Sequence, residues 1–122
     1  MNVTQLGRFL RKVRIDRGQR LNDMAEEMEM SVAQLSAIEL GKRSISAKVK
    51  QRLITFYSAF CSGEEEVGRL VDVSQPSFKE DFEDVDDLRR ELFVSFARSY
   101  KALPEDQARQ WLDELNELAS TK

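Results

Sequence analysis

The stretch from residue 20 to residue 45, RLNDMAEEMEMSVAQLSAIELGKRSI, constrains the fold of this chain more than any other. Its apolar residues step by three and four in two short runs: Leu21, Met24, Ala25 and Met28, then Leu35 and Ile38. That spacing marks one face of an α-helix. Ser31 is a side chain suited to capping a helix start, and Gly41 followed by Lys42 and Arg43 suits a helix end. The segment predicts helices over residues 21–28 and 32–40, joined by a tight turn.

Further helices follow from the same pattern. Residues 4–17 place Leu6, Phe9, Leu10 and Val13 on one face, with Thr4 as cap and Gly18 as stop. Arg8, Arg11, Lys12 and Arg14 lie off that stripe. Residues 47–60, capped by Ser46, bury Val49, Leu53, Phe56 or Tyr57, and Phe60. Ser62-Gly63 breaks the pattern, and a short helix over residues 64–71 carries acids in its first turn, where the helix dipole favours them. Residues 74–84 have no decidable period: Pro76 argues against helix, while Phe78 and Phe82 fit a loop or a short strand. Residues 86–102 and 104–119 predict an amphipathic helical hairpin, with Pro104 at a first helical position. Its stripes are Leu88, Leu92, Phe93, Phe96 and Tyr100, then Ala108, Trp111, Leu112, Leu115 and Leu118. The expected fold class is all-α, with a bundle over residues 1–61 and an acidic helical extension over residues 62–122.

Composition removes whole classes of function. There is one cysteine, Cys61, and no histidine. A disulfide within the chain, a zinc site of Cys/His type and histidine acid–base catalysis are all excluded. Cys61 without an imidazole partner reads as a buried or inert thiol. The acid run Asp81, Glu83, Asp84, Asp86 and Asp87 lacks the spacing and central glycine of a calcium loop and reads as a solvated surface. The Met24, Met28 and Met30 cluster reads as core filler. No catalytic residue, metal or cofactor is therefore expected. No apolar run approaches the roughly 20 residues that span a bilayer. Arg8, Arg11 and Lys12 interrupt any secretory core, so a cytoplasmic protein is expected.

The net charge of −3 hides an asymmetry. Residues 1–56 hold eleven Lys/Arg against six Asp/Glu, net +5, and residues 57–122 hold eight against sixteen, net −8. A basic half suits a polyanion. On charge alone, uneven decoration of a solvated surface accounts for it equally well.

The segment around Val32 adds a sharper argument. A helix that enters a DNA major groove needs apolar anchors inside, small or hydrogen-bonding side chains outside, and phosphate donors at its flanks. Leu35 and Ile38 supply the anchors. Val32, Ala33, Gln34, Ser36 and Ala37 include the outward positions, and Lys42, Arg43 and Ser44 follow. A glutamine amide can pair bidentately with adenine, which makes Gln34 the strongest base reader of the set. The others offer few hydrogen bonds, so groove fit, DNA shape and bound water are expected to share the specificity.

These residues carry a resemblance. Leu10-Arg11-Lys12-Val13-Arg14, Leu21-Asn22-Asp23-Met24-Ala25, Met30-Ser31 and Leu35-Ser36-Ala37-Ile38-Glu39-Leu40-Gly41-Lys42-Arg43 resemble the XRE, or Cro/repressor-like, helix-turn-helix group over residues 6–57. The resemblance implies a lambda-repressor-like bundle and a repressor that binds double-stranded DNA as a dimer. It implies that Asn22 touches a phosphate, that Ser31, Val32, Ala33, Gln34 and Ala37 face the groove, and that Lys42, Arg43 and Ser44 grip the backbone. It also implies a structural ion pair between Arg14 and Glu39. Two features depart from the group. Glu29 stands at a turn position that many members fill with glycine, and Glu26, Glu27 and Glu29 form an acidic cluster beside the reading helix.

A single small unit makes few contacts, so something must pair two of them. The hairpin is expected to do this through Leu92, Phe93, Phe96, Tyr100, Trp111, Leu112 and Leu115. The competing expectation is an antitoxin-type interaction module whose acidic half holds a toxin or protease; antitoxins in this group also bind DNA.

Overall fold

The computed structural model describes residues 2–120. Its elements are α1 (Gln5–Arg17), α2 (Leu21–Glu27), α3 (Val32–Glu39), α4 (Ala47–Tyr57) with a 3₁₀ turn at Ser58–Phe60, α5 (Glu64–Val73), α6 (Asp87–Ser99) with a 3₁₀ turn at Tyr100–Ala102, and α7 (Glu105–Ser120). Among the described residues there is no strand, and the protein is all-α. The chain divides into two compact units, Met1–Lys79 and Glu80–Lys122.

Local chemistry starts and stops the helices of the first unit. The Thr4, Ser31 and Ser46 hydroxyls accept hydrogen bonds from Gly7 N–H, Gln34 N–H and Val49 N–H, each satisfying a donor at a helix start. The ends of α1, α2 and α3 share one device, in which the two residues after the cap turn back to bond carbonyls of the last turn. Gln19 N–H reaches Arg14 O, Met30 N–H reaches Ala25 O, and Lys42 N–H reaches Ala37 O, at 2.8, 2.9 and 2.9 Å. The residue at the sharp point has positive φ in all three: Gly18 at 64°, Glu29 at 58° and Gly41 at 71°. Two of the three are glycine, which has no Cβ to clash there. Glu29 is not, and it holds the turn between α2 and α3.

The core is Leu6, Leu10 and Val13 of α1, Met24, Ala25 and Met28 around α2, Leu35 and Ile38 of α3, Ile45, Leu53 and Tyr57, and Val67, Leu70 and Val71 of α5. The last three move the boundary drawn at residues 61/62. The break at Ser62-Gly63 ends a helix but not the unit, because α5 folds back onto α1 and α4 and closes the core. Phe60 also departs from expectation. The α-helix stops at Tyr57, which is fully buried, and the 3₁₀ turn leaves Phe60 46% exposed with the Arg17 guanidinium 5.2 Å above its ring. Tyr57 takes the inward place left open between it and Phe56.

The ambiguous segment 74–84 forms no regular element. Ser74 is buried, and its hydroxyl accepts the Leu6 N–H at 3.0 Å, pinning the end of α5 to the start of α1.

In the second unit Asp86 caps α6 by accepting the Arg89 N–H. Arg90 donates to Val85 O and Phe82 O, and Phe82 packs edge-on against Phe93 at 5.7 Å. The α6–α7 hairpin is joined through Phe96, which stacks on Tyr100 and lies 6.4 Å from Trp111. Neither helix contains a buried residue.

A left-handed conformation costs an ordinary residue about 1–2 kcal/mol, part of which glycine returns through its freer unfolded chain. Glu29→Gly is therefore expected to stabilise the first unit by about 0.5–1 kcal/mol, read as a higher denaturation midpoint at unchanged m-value.

Candidate nucleic-acid interface

The seating of α3 begins at its C-terminal end. Glu39 is 2% exposed, and its carboxylate takes two hydrogen bonds from the Arg14 guanidinium, at 2.5 and 3.0 Å. Arg11 Nε adds a third contact at 3.5 Å. The backbone carbonyl of Glu39 accepts from both the N–H and the hydroxyl of Thr4, each at 3.0 Å. Gly7 permits this approach, since a Cβ there would lie 2.4 Å from the same carbonyl oxygen. Arg14, which lies off the apolar stripe of α1, is thus buried.

With its inner face held by Leu35 and Ile38, α3 presents its N-terminal half outward. Ser31, Val32 and Ala33 are exposed, while Gln34, Ser36 and Ala37 are half-buried. Asn22, the second residue of α2, is exposed, as are Lys42, Arg43 and Ser44. Among the described residues, the Gln34 amide, the Lys42 and Arg43 cations and the Ser44 hydroxyl make no hydrogen bond or ion pair. The same holds for Lys48 in the first turn of α4, a residue that the periodicity of its helix left unmarked.

The other cations of residues 1–56 are engaged. Arg8 donates to Val3 O, Lys12 pairs with Asp16, Arg17 with Glu27, Arg20 with Asp23, and Lys50 with Asp72. Arg52 donates to Met28 O at 2.9 Å and so steadies the end of α2 next to the turn. Among the described residues, the cations of residues 1–56 left without any internal partner are Lys42, Arg43 and Lys48.

The acidic cluster is partly neutralised inside the fold. The Tyr57 hydroxyl donates to Glu27 at 2.6 Å, and Arg17 forks onto both carboxylate oxygens at 3.2 and 3.3 Å. The Tyr57 hydrogen bond, joined by Arg17, holds the Glu27 carboxyl below its ordinary value. Burial, with the neighbouring carboxylate second, pushes the Tyr57 phenol well above its ordinary value. Glu26 and Glu29 remain exposed.

The residues expected to pair the hairpins are exposed in the second unit. Leu92, Phe93, Phe96, Tyr100, Trp111 and Leu115 line a common apolar groove of about 950 Å³ that also involves Leu103 and Leu118. Leu112 is 55% exposed and lies outside this lining. Cys61 is partly buried, its thiol against the Ser58 and Gly63 carbonyls. Among the described residues no group of three or more His, Cys, Asp or Glu could hold a metal ion, and no helix is long and apolar enough to cross a membrane.

Two short helices joined by a tight turn, the second lying with its first turns open to solvent, define a helix-turn-helix unit, a class of element that binds DNA. The family model described as "Helix-turn-helix domain" matches residues 5–65, half of the chain, and the chain belongs to that family. Neither the curated proteins nor the solved structures contain a match.

Removing one partner of a buried ion pair leaves the other charge stranded, at about 3–5 kcal/mol. Glu39→Ala is expected to lose about that much stability, and Arg14→Met combined with Glu39→Leu to recover much of it, by chemical denaturation. The Tyr57–Glu27 bond predicts pH effects of opposite sign. Ionisation of the unfolded chain's tyrosine near pH 10 removes stability as pH rises towards the higher folded value, and Tyr57→Phe is expected to flatten that alkaline loss. Glu27 contributes stability above its unfolded value and loses it as pH falls through the lower folded one, which Glu27→Gln should flatten on the acid side.

Proposed function

We propose that this protein is a sequence-specific DNA-binding transcriptional regulator, a dimeric cytoplasmic repressor that reads a palindromic operator with the outer face of α3 in the major groove. The observation that carries the reading is the placement of unsatisfied donors. Apart from Lys48, cations elsewhere in residues 1–56 are spent on internal contacts, while Lys42 and Arg43 stand unpartnered directly after α3. In this reading Gln34 pairs with an adenine edge, and Val32, Ala33 and Ala37 meet thymine methyls. Ser31 and Ser36 line the approach. Asn22, Lys42, Arg43 and Ser44 hold phosphates and set the register.

Dimerisation rests on the second unit. Two helices that bury none of their residues leave most of their apolar stripe in water, and a hairpin so built gains by association. Pairing α6–α7 with the same hairpin of a second copy covers the groove and brings two reading helices to half-sites about 34 Å apart. The exposed groove also favours a second reading, an antitoxin-type module whose acidic half is covered by a toxin or protease.

Fluorescence anisotropy with the operator and with random duplexes tests the proposal. Gln34→Ala should cost about 1–3 kcal/mol on the operator and little on random DNA. Arg43→Ala should weaken every duplex alike and reduce the slope of log K against log salt by about one. Equal losses on both duplexes from both variants would contradict the division of roles. In sedimentation, Leu92→Glu should convert a dimer to a monomer; a wild-type chain that is monomeric until a second protein is added would favour the alternative.

A further inference from the structure

The loop that follows α3 is held from a distance. Gly41 N–H and Lys42 N–H close the end of α3 on Ile38 O and Ala37 O. Three residues on, Ile45 buries its side chain in the core, and its backbone is gripped at both polar atoms by one side chain. Gln75 Oε1 accepts the Ile45 N–H at 2.8 Å, and Gln75 Nε2 donates to the Ile45 carbonyl at 2.8 Å. Ser74, one residue earlier, is itself buried and bonded to Leu6 N–H. A side chain at Gly41 would be strained, because a Cβ would lie 2.8 Å from Thr4 Cγ2 at a φ of 71°. The loop is therefore clamped at Lys42 and at Ile45.

Between the clamps lie Arg43 and Ser44. Among the described residues, neither backbone N–H of this pair donates a hydrogen bond within the protein, and neither side chain has a partner. Main-chain N–H groups held in a fixed turn, with cations beside them, suit a phosphate oxygen. From this geometry we infer that Gln75 is a positioning residue for a phosphodiester-binding turn, formed by the Arg43 and Ser44 N–H groups with the Lys42 and Arg43 side chains. The inference rests on the DNA-binding reading and deepens it. Gln75 touches no DNA. It removes the ordering that the turn would otherwise undergo on contact, which is how preorganisation gains affinity.

The test uses the full chain and a random-sequence 30-base-pair duplex at low salt, since a backbone grip does not depend on sequence. Gln75→Met keeps the volume and loses both hydrogen bonds. It is expected to weaken binding about three- to tenfold. In an Arg43→Ala background the same change should have a much smaller effect, because turn and cation act together. Binding within twofold of wild type, or an undiminished effect in the Arg43→Ala background, would overturn the assignment. A second measurement does not depend on the variant folding. In the wild-type complex, the backbone amide resonances of Arg43 and Ser44 should shift on duplex addition, with Ile45 N–H protected from exchange before and after. Unshifted Arg43 and Ser44 amides in a formed complex would also overturn it. A wild-type chain that forms no complex with any duplex would instead remove the DNA-binding reading itself.

Discussion

The first unit depends on Glu39. Hydrophobic contact between α1 and α3 is non-directional, and Leu35 and Ile38 could be buried at more than one axial setting of the helix. The fork from Arg14 to the Glu39 carboxylate admits one. Thr4, bonding the backbone carbonyl of the same residue, fixes the second coordinate. A buried charge is expensive unless its partner is present in good geometry, so alternatives that break the fork are penalised by several kcal/mol. The pair thereby selects which side of α3 faces outward, although that side is made of other residues. It touches nothing that a ligand would touch, yet it decides what Gln34 can reach.

Charge bears on function here through what is left over. The excess of cations in residues 1–56 is real, but most of it holds the protein together. Arg14 neutralises Glu39, Arg17 neutralises Glu27, Arg52 satisfies the end of α2, and Lys50 ties α4 to α5. A surface count treats these as equal to Lys42 and Arg43, which have no such duty. The structure separates them, and the remainder is Lys42 and Arg43 directly after α3, with Lys48 at the start of α4. The acidic cluster is thinned in the same way, since Glu27 already has two partners of its own.

Much of this was legible in the chain because the signals are local. Thr4, Ser31 and Ser46 are cap residues by type and cap in fact. Gly18 and Gly41 end helices because they alone take the turn without strain. Glu29 shows the limit: its position in a turn can be read, but its positive φ belongs to the backbone path between α2 and α3. Arg14 is hidden from periodicity, and only the family resemblance implied its pairing with Glu39. Periodicity sorts residues by polarity, and an arginine buried for its charge registers as surface. Gln75 and Ser74 carry no signal at all. Their partners lie 30 and 68 residues away, and a single polar bond over such a separation leaves no repeat to detect. The boundary at Ser62-Gly63 failed because helix breakers mark the ends of elements, whereas the extent of a unit is set by where its apolar surface is covered.

The two units are stabilised on different terms. The first closes its own core with side chains from five helices, and Ser31, Val32 and Ala33 take no part in it. The second has aromatic contacts along its groove, Phe96 with Tyr100 and Trp111, but neither of its helices has a fully buried residue. Under the proposed dimer, ordering of the hairpin and association of two chains become one equilibrium, and its stability rises with protein concentration. A reading unit that folds by itself would then bind single half-sites weakly at any concentration. Tight binding to a paired site would appear only above the concentration at which hairpins associate. Under the proposal, separating a self-sufficient reader from an associating extension would make the response to protein level steeper than either unit could produce alone, with the surface that α3 presents unchanged.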